Sequence, residues 1–212
     1  MKLMSILMEA KDQDFKRLPL AYNLSALNPT IDTDTMEEHY KKHYAGYTDK
    51  FNAACKEFNC LSDKHGYLNR AIDIIKRHYK KDAIRNNGGG YINHLLYFEN
   101  MTPDYKAPSA KLKAMIDDAF GSFTEFKDQF KQAGLDRFGS GWVWLCINNG
   151  KLEISTTSNQ DNPYFDSSVS GTPILAMDVW EHAYYLKHQS KRASYINDFF
   201  RVVDWEVVET RI

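Results

Sequence analysis

The chain has 212 residues, 43% of them hydrophobic and 26% charged, with 27 Lys plus Arg against 28 Asp plus Glu and a net charge of -1. That balance excludes bulk disorder, and a chain of this length buries roughly two-thirds or more of the surface its unfolded form exposes. With no excess of positive charge to neutralise phosphates, nucleic acid is not expected as a partner. Aromatic residues reach 14%, more than a core alone usually needs, so some are expected to line a site.

The start, MKLMSILMEAKDQDF, holds a short apolar patch that Glu9 and Asp12 interrupt, and no A-x-A site follows. Neither a signal peptide nor a membrane span is expected. Leu18 to Pro29 reads as an extended arm, because Pro19 and Pro29 limit helix there. The spacing predicts a helix over Asp32 to Phe58, with Thr35 and Glu38 at capping-box separation. A second helical run covers Gly66 to Tyr79. It meets Gly88-Gly89-Gly90 and resumes as YINHLLYFEN. Three glycines would normally break a helix, at ~1 kcal/mol each relative to Ala. Their alternative use is close backbone approach.

Met101 to Ser109 holds two prolines and no periodicity and reads as a linker. Two short helices follow, KLKAMIDDAF and SFTEFKDQFKQAGL, the second opening with Ser122 and Glu125 at capping-box spacing. WVWLCI, the turn Asn148-Asn149-Gly150 and KLEISTTS predict a hairpin, since Asn-Gly supplies the positive backbone angles of a tight turn. PILAMDV reads as a third strand, WEHAYYLKH and SYINDFFRVVDW as helices. Helices first, then helices with a small antiparallel sheet, make an α+β chain with a boundary near Thr102: residues 1-101 as arm and helical domain, 102-212 as an α/β domain. The three cysteines, Cys55, Cys60 and Cys146, match neither a CxxC knuckle nor a disulfide framework, so they read as small buried hydrophobes of a cytoplasmic protein.

Chemistry concentrates in the histidines. His39, His43 and Tyr47 recur every four residues, each step turning a regular helix face by only about 40°. Asp178 and His182 are also four apart, and His94 follows the glycines. His65, His78 and His188 sit among charged neighbours and read as surface residues. Each histidine alone is more often a hydrogen-bonded core or surface residue than a ligand. Together, an Asp and a His on one turn with histidines elsewhere make a plausible His/carboxylate metal site, a donor set that suits Mn or Fe. Trp142, Trp144 and Trp180 could form an apolar shell around it. H-E-x-x-H, E-x-x-H, the phosphate-binding Gly-rich loop and the G-x-S-x-G elbow are all absent.

The motifs LPLAYNLSALNP, EHYKKHYAGY, RNNGGGYINH, GSGWVWL, NQDNP and DVWEHAYYL, in this order, resemble those of the iron/manganese superoxide dismutases over Leu18 to Asp204. The resemblance implies a helical hairpin domain followed by an α/β domain with a three-stranded antiparallel sheet. It implies disproportionation of superoxide, a small anion, at one Mn or Fe ion per subunit. His39, His94, Asp178 and His182 would be the ligands, with Tyr47 and His43 guarding the approach. Gln160 would hydrogen-bond the metal-bound solvent, and Trp142 and Trp180 would wall the site. Glu181 and Tyr185 would reach across the two-fold interface of a homodimer, with a tetramer as the further possibility. The family supplies the solvent-binding amide either from the helix before the second ligand, where this chain has Gly90, or from the later sheet region, where it has Gln160. Gly90 with Gln160 is the manganese-type pairing. Tyr44, Tyr91, Tyr97 and Phe98 depart from the usual pattern. Arg192 is a candidate cation near the mouth. A non-haem iron oxygenase and a binding protein that has lost turnover are the rival readings.

Overall fold

The computed structural model describes residues 14-60, 62 and 64-212. The reading of the chain start as neither signal peptide nor span lies outside the described residues. Helix α1 (Thr33–Met36), a π-helical stretch (Glu37–Tyr44) and α2 (Ala45–Glu57) run on as one rod. Its cap is Asp32, whose Oδ1 accepts the Thr35 N–H at 2.9 Å. The expected Thr35 and Glu38 box therefore gives way to a carboxylate three residues earlier, which satisfies one of the orphan donors. The wide turns include His39 and His43, so the even drift of a regular α-helix does not describe this stretch. Exposed Glu37–Lys41 and Glu38–Lys42 pairs add a few tenths of a kcal/mol each at most. Before this rod, residues 24-30 form successive turns, with Ala26, Asn28 and Thr30 N–H groups bonded to Asn23, Ser25 and Leu27 carbonyls. Only the residues before them are free of turns, so the arm is shorter than expected.

Helix α3 (Tyr67–His78) precedes α4 (Asp82–Glu99), which passes through Gly88-Gly89-Gly90 without a break. The propensity cost of those glycines is outweighed because side chains there have nowhere to go. A Cβ at Gly88 would lie 2.7 Å from Ile75 Cγ1, one at Gly89 would strike the Gln160 carbonyl, and one at Gly90 would strike the Tyr47 ring. Burial of Ile92, Leu95, Leu96 and Phe98 on the same helix repays it.

Residues 102-109 contain no helix or strand. Helices α5 (Ala110–Phe120) and α6 (Phe123–Asp136) follow, and the Ser122 hydroxyl caps α6 by accepting the Glu125 N–H. Strands β1 (Gly141–Asn148), β2 (Lys151–Ser158) and β3 (Thr172–Asp178) form an antiparallel sheet in the order β2-β1-β3. Asn149 and Gly150, at φ 49° and 80°, make the tight turn that the Asn-Gly pair predicts. A 3-10 turn (Glu181–Ala183) and helices α7 (Tyr185–His188), α8 (Arg192–Phe199) and α9 (Trp205–Glu209) complete the described chain. Buried Asn100 fastens the end of α4 to β3: its Nδ2 donates to the Ala176 carbonyl, and its Oδ1 accepts the Ala176 N–H at 2.9 Å. This joint lies two residues from Asp178. No helix among the described residues is long and apolar enough to cross a membrane.

Candidate metal centre

Four elements each deliver one donor to a single buried point. His39 comes from the π-helical stretch, His94 from α4, Asp178 from the end of β3 and His182 from the 3-10 turn, and their ligand atoms all lie within 4.8 Å of one another. Asp178 Oδ2 is 3.1 Å from His39 Nε2, 3.2 Å from His182 Nε2 and 3.9 Å from His94 Nε2. The antiparallel register sets Asp178 opposite Trp142. Its other oxygen, Oδ1, accepts the Trp180 N–H at 2.8 Å, which turns Oδ2 toward the imidazoles. His94 Nδ1 is 2.6 Å from the Gly90 carbonyl. Nδ1 therefore carries the proton, and Nε2 offers a lone pair to the cluster.

The electrostatics fit a cation. His39 Nε2 and His94 Nε2 are buried without a hydrogen-bond partner, the first lying 3.1 Å from Asp178 Oδ2 as an ion-pair neighbour. Such orphans are rare and costly unless an ion takes them up. Burial holds His39 down to about 4 and His94 well below the usual imidazole range, so both present neutral nitrogens. Burial alone would raise Asp178, yet the imidazoles of His182 and His39 hold its carboxyl well below the usual carboxylate range. Three imidazole nitrogens and one carboxylate suit manganese or iron.

Protonation of the metal-free cluster has a definite sign. The unfolded chain takes up protons on His39 and His94 near 6.5, and the folded state refuses them until lower pH, about 4 for His39. Metal-free protein is therefore expected to lose stability as pH falls through that window, on the order of a few kcal/mol from His39. Thermal midpoints of metal-free protein across the window measure this. A midpoint that does not fall there would contradict the burial assigned to these rings.

Gln160 is 3% exposed and held from three sides. Its Oε1 accepts from Trp142 Nε1 and Asn93 Nδ2, both at 3.1 Å, and its Nε2 donates to the Tyr47 hydroxyl at 3.0 Å. Arg85 grips the neighbouring Asp161 through both Nε and Nη2, which ties this loop to α4. Tyr47 lies against His94 with ring centroids 5.2 Å apart, and burial raises its hydroxyl above the ordinary phenol value. His43 is half-buried and stacks on His182 at 3.9 Å, while Trp180 covers the same ring at 5.6 Å. Trp142 meets His94 edge-on at 5.3 Å.

The fold thus brings nine of the expected site residues to one place and leaves Glu181, Tyr185 and Arg192 outside it. Glu181 and Tyr185 are exposed, Tyr185 at 49%. Arg192 spends its donors on the Tyr184 hydroxyl and the Gly134, Arg137 and Gly139 carbonyls. His188, expected at the surface, is buried 3.8 Å from Asp198, because its short helix packs onto α8. Sequence reasoning missed Asn93, whose only signal is that it adjoins His94 on a helix facing the Gln160 loop. Three of the four residues expected to depart from the family pattern pack around the centre, and Tyr91 lies away from it. Tyr97 and Phe98 each lie 5.0 Å from His39, Tyr44 stacks on His94 at 5.8 Å, and Tyr91 reaches the Lys16 carbonyl at 3.0 Å.

Comparison with known proteins gives the same reading. Residues 14–102 match the family model described as iron/manganese superoxide dismutases, alpha-hairpin domain, and residues 108–211 match that of the C-terminal domain. A protein of Acinetobacter baylyi named superoxide dismutase [Mn] is 46% identical over 202 residues, covering 93% of this chain and 87% of that protein. One of Listeria ivanovii with the same name is 46% identical over 189 residues, covering 88% of this chain and 92% of its own length. One of Leptolyngbya boryana, superoxide dismutase [Mn] 1, is 44% identical over 200 residues, covering 91% and 78% respectively. With both halves of the chain matched and its histidines and carboxylate gathered at one buried point, the chain belongs to the iron/manganese superoxide dismutases.

Proposed function

We propose that the buried cluster of His39, His94, Asp178 and His182 is the metal centre of this superoxide dismutase, holding one manganese or iron ion per subunit, with manganese favoured. The observation that carries the assignment is the pair of unpartnered, buried imidazole nitrogens facing one carboxylate oxygen. The bound ion supplies a one-electron redox cycle, which oxidises one superoxide to oxygen and reduces a second toward hydrogen peroxide; zinc has no such cycle. The protein supplies protons and access. Because Tyr47 accepts a hydrogen bond from Gln160, its own O–H proton is left free to be donated elsewhere. Its raised value keeps that proton in place at neutral pH. Half-buried His43, stacked on His182, lies between solvent and the cluster and is suited to relay protons inward. Trp142 and Trp180 exclude bulk water and larger molecules. A cytochrome c competition assay on metal-loaded protein tests the reading, and absence of turnover in fully loaded protein would defeat it.

Three features support manganese. Relatives carry that metal in their names. The amide comes from Gln160. A side chain at Gly90 would overlap the Tyr47 ring, so a glutamine cannot supply it from α4 without displacing that tyrosine.

The domains divide in this reading at 101/102, with the ion taking two ligands from each. We assign the working unit as a homodimer, with a tetramer as its further assembly, in the cytoplasm. Glu181 is exposed one residue before His182, Tyr185 and Leu186 are 49% and 56% exposed, and Phe138 is 92% exposed, a surface that supports a partner copy. Sedimentation at micromolar concentration should give a dimer, and Glu181→Ala should weaken it and lower activity together. A native monomer would remove the assignment.

A further inference from the structure

The end of α2 brings two cysteines together by backbone geometry. Asn59 adopts φ 48°, its N–H donates to the Lys56 carbonyl at 3.2 Å, and the Cys60 N–H donates to the Cys55 carbonyl at 2.8 Å. These are the two hydrogen bonds of a Schellman motif, in which the residue after the left-handed position packs its side chain on the residue five earlier. Here both of those side chains are thiols. The motif sets these two side chains side by side, and Cys55 is partly exposed while Cys60 is 7% exposed. The charged groups facing them are Asp14 and Arg70 at Cys55, and Arg77 and Lys81 at Cys60. Cys146, the third thiol, lies apart in β1, 3.5 Å from the Ser155 hydroxyl.

We propose that Cys55 and Cys60 form a peroxide-oxidisable dithiol, converted to an intramolecular disulfide by the hydrogen peroxide that the enzyme itself releases. The Cys60 thiolate, which the charges of Arg77 and Lys81 favour, attacks one peroxide oxygen. The O–O bond breaks, a sulfenic acid forms on Cys60, and the departing hydroxide takes a proton to become water. Cys55 then attacks that sulfur, its proton leaves with the sulfenic hydroxyl as a second water, and the S–S bond closes. The two sulfurs lose two electrons and the peroxide gains them. The helix-end geometry favours the second step, since the capping motif holds the partner side chain beside it. The first step is slow at neutral pH: burial pushes the Cys55 thiol up to about 12 and raises Cys60 as well. The pair therefore registers sustained peroxide and not brief exposure.

Lys56 lies between the two cysteines, so trypsin separates residues 51-56 from 57-64 unless a disulfide joins them. Manganese-loaded protein is incubated with millimolar hydrogen peroxide, blocked with an alkylating agent and digested without reductant. The linked peptide pair should appear, free thiols should fall from three to one, and dithiothreitol should restore them. The rate should rise about tenfold per pH unit near neutrality, as thiolate chemistry requires. Cys55→Ser should give a dimedone adduct on Cys60 and no linked pair, with dismutase activity unchanged. Three retained thiols, thiol loss without the linked pair, or a dimedone adduct absent from Cys60 in Cys55→Ser would overturn the proposal. The choice of oxidant rests on the superoxide dismutase reading. Added peroxide tests the thiols whatever the turnover, and a superoxide assay on the same sample tests turnover, so the two fail separately.

Discussion

Replacing His94 with alanine should abolish both metal retention and superoxide turnover. His94 is fully buried at the point where α4 meets the sheet, and its Nε2 is one of the two orphaned nitrogens. Without it, three donors remain and the site gains room for solvent. The loss should exceed the roughly 10–100-fold cost typical of removing an outer partner of a metal ligand. The substitution also strips the Gly90 carbonyl of its side-chain partner and leaves a cavity, so a lower melting temperature is expected alongside. Metal analysis after dialysis, a competition assay and circular dichroism separate these effects. A folded variant with near-normal metal content and turnover would disprove the role of His94.

The second large effect concerns the identity of the metal. Metal-free protein loaded separately with manganese and with iron should be the more active per bound ion in its manganese form at neutral pH. Mn(III) is the stronger oxidant, so its site must lower the potential more, and a firmly placed amide is the means by which this protein would do so. Gln160 meets that requirement: Trp142 and Asn93 fix its oxygen, and Tyr47 takes its N–H. Gln160→Ala should lower manganese-dependent activity about 10–100-fold and raise the potential of the bound ion, with metal content retained. An iron form much more active than the manganese form would reverse the preference. An unchanged potential in the Gln160 variant would detach the amide from it.

The sequence alone carried the element order as far as the third strand, the hairpin turn, the α+β class and the candidate donors, because these depend on local pattern, while WEHAYYLKH divides into a 3-10 turn and a short helix and the last expected helix stops at Phe199 before a separate one at Trp205–Glu209. An Asn-Gly pair between alternating strands needs no distant partner to specify its turn, and histidines at helical spacing are visible as text. What the sequence could not decide were matters that local propensity argues the wrong way or leaves silent. Propensity alone argues for a break at the three glycines of α4, while close approach was the alternative use that the sequence offered, and the neighbouring Tyr47 ring, Gln160 carbonyl and Ile75 side chain are what make that use a requirement. Asp32, and not Thr35, caps the first helix, because two acceptors at similar spacing compete and the folded backbone selects one. His188 and Asn93 have ordinary neighbours in the chain and become buried through contacts with α8 and with the Gln160 loop. The same holds for the metal centre. Its four donors come from four elements spread over residues 39 to 182, and they converge only because Asn100 joins α4 to β3 and the sheet register holds Asp178 beside Trp142.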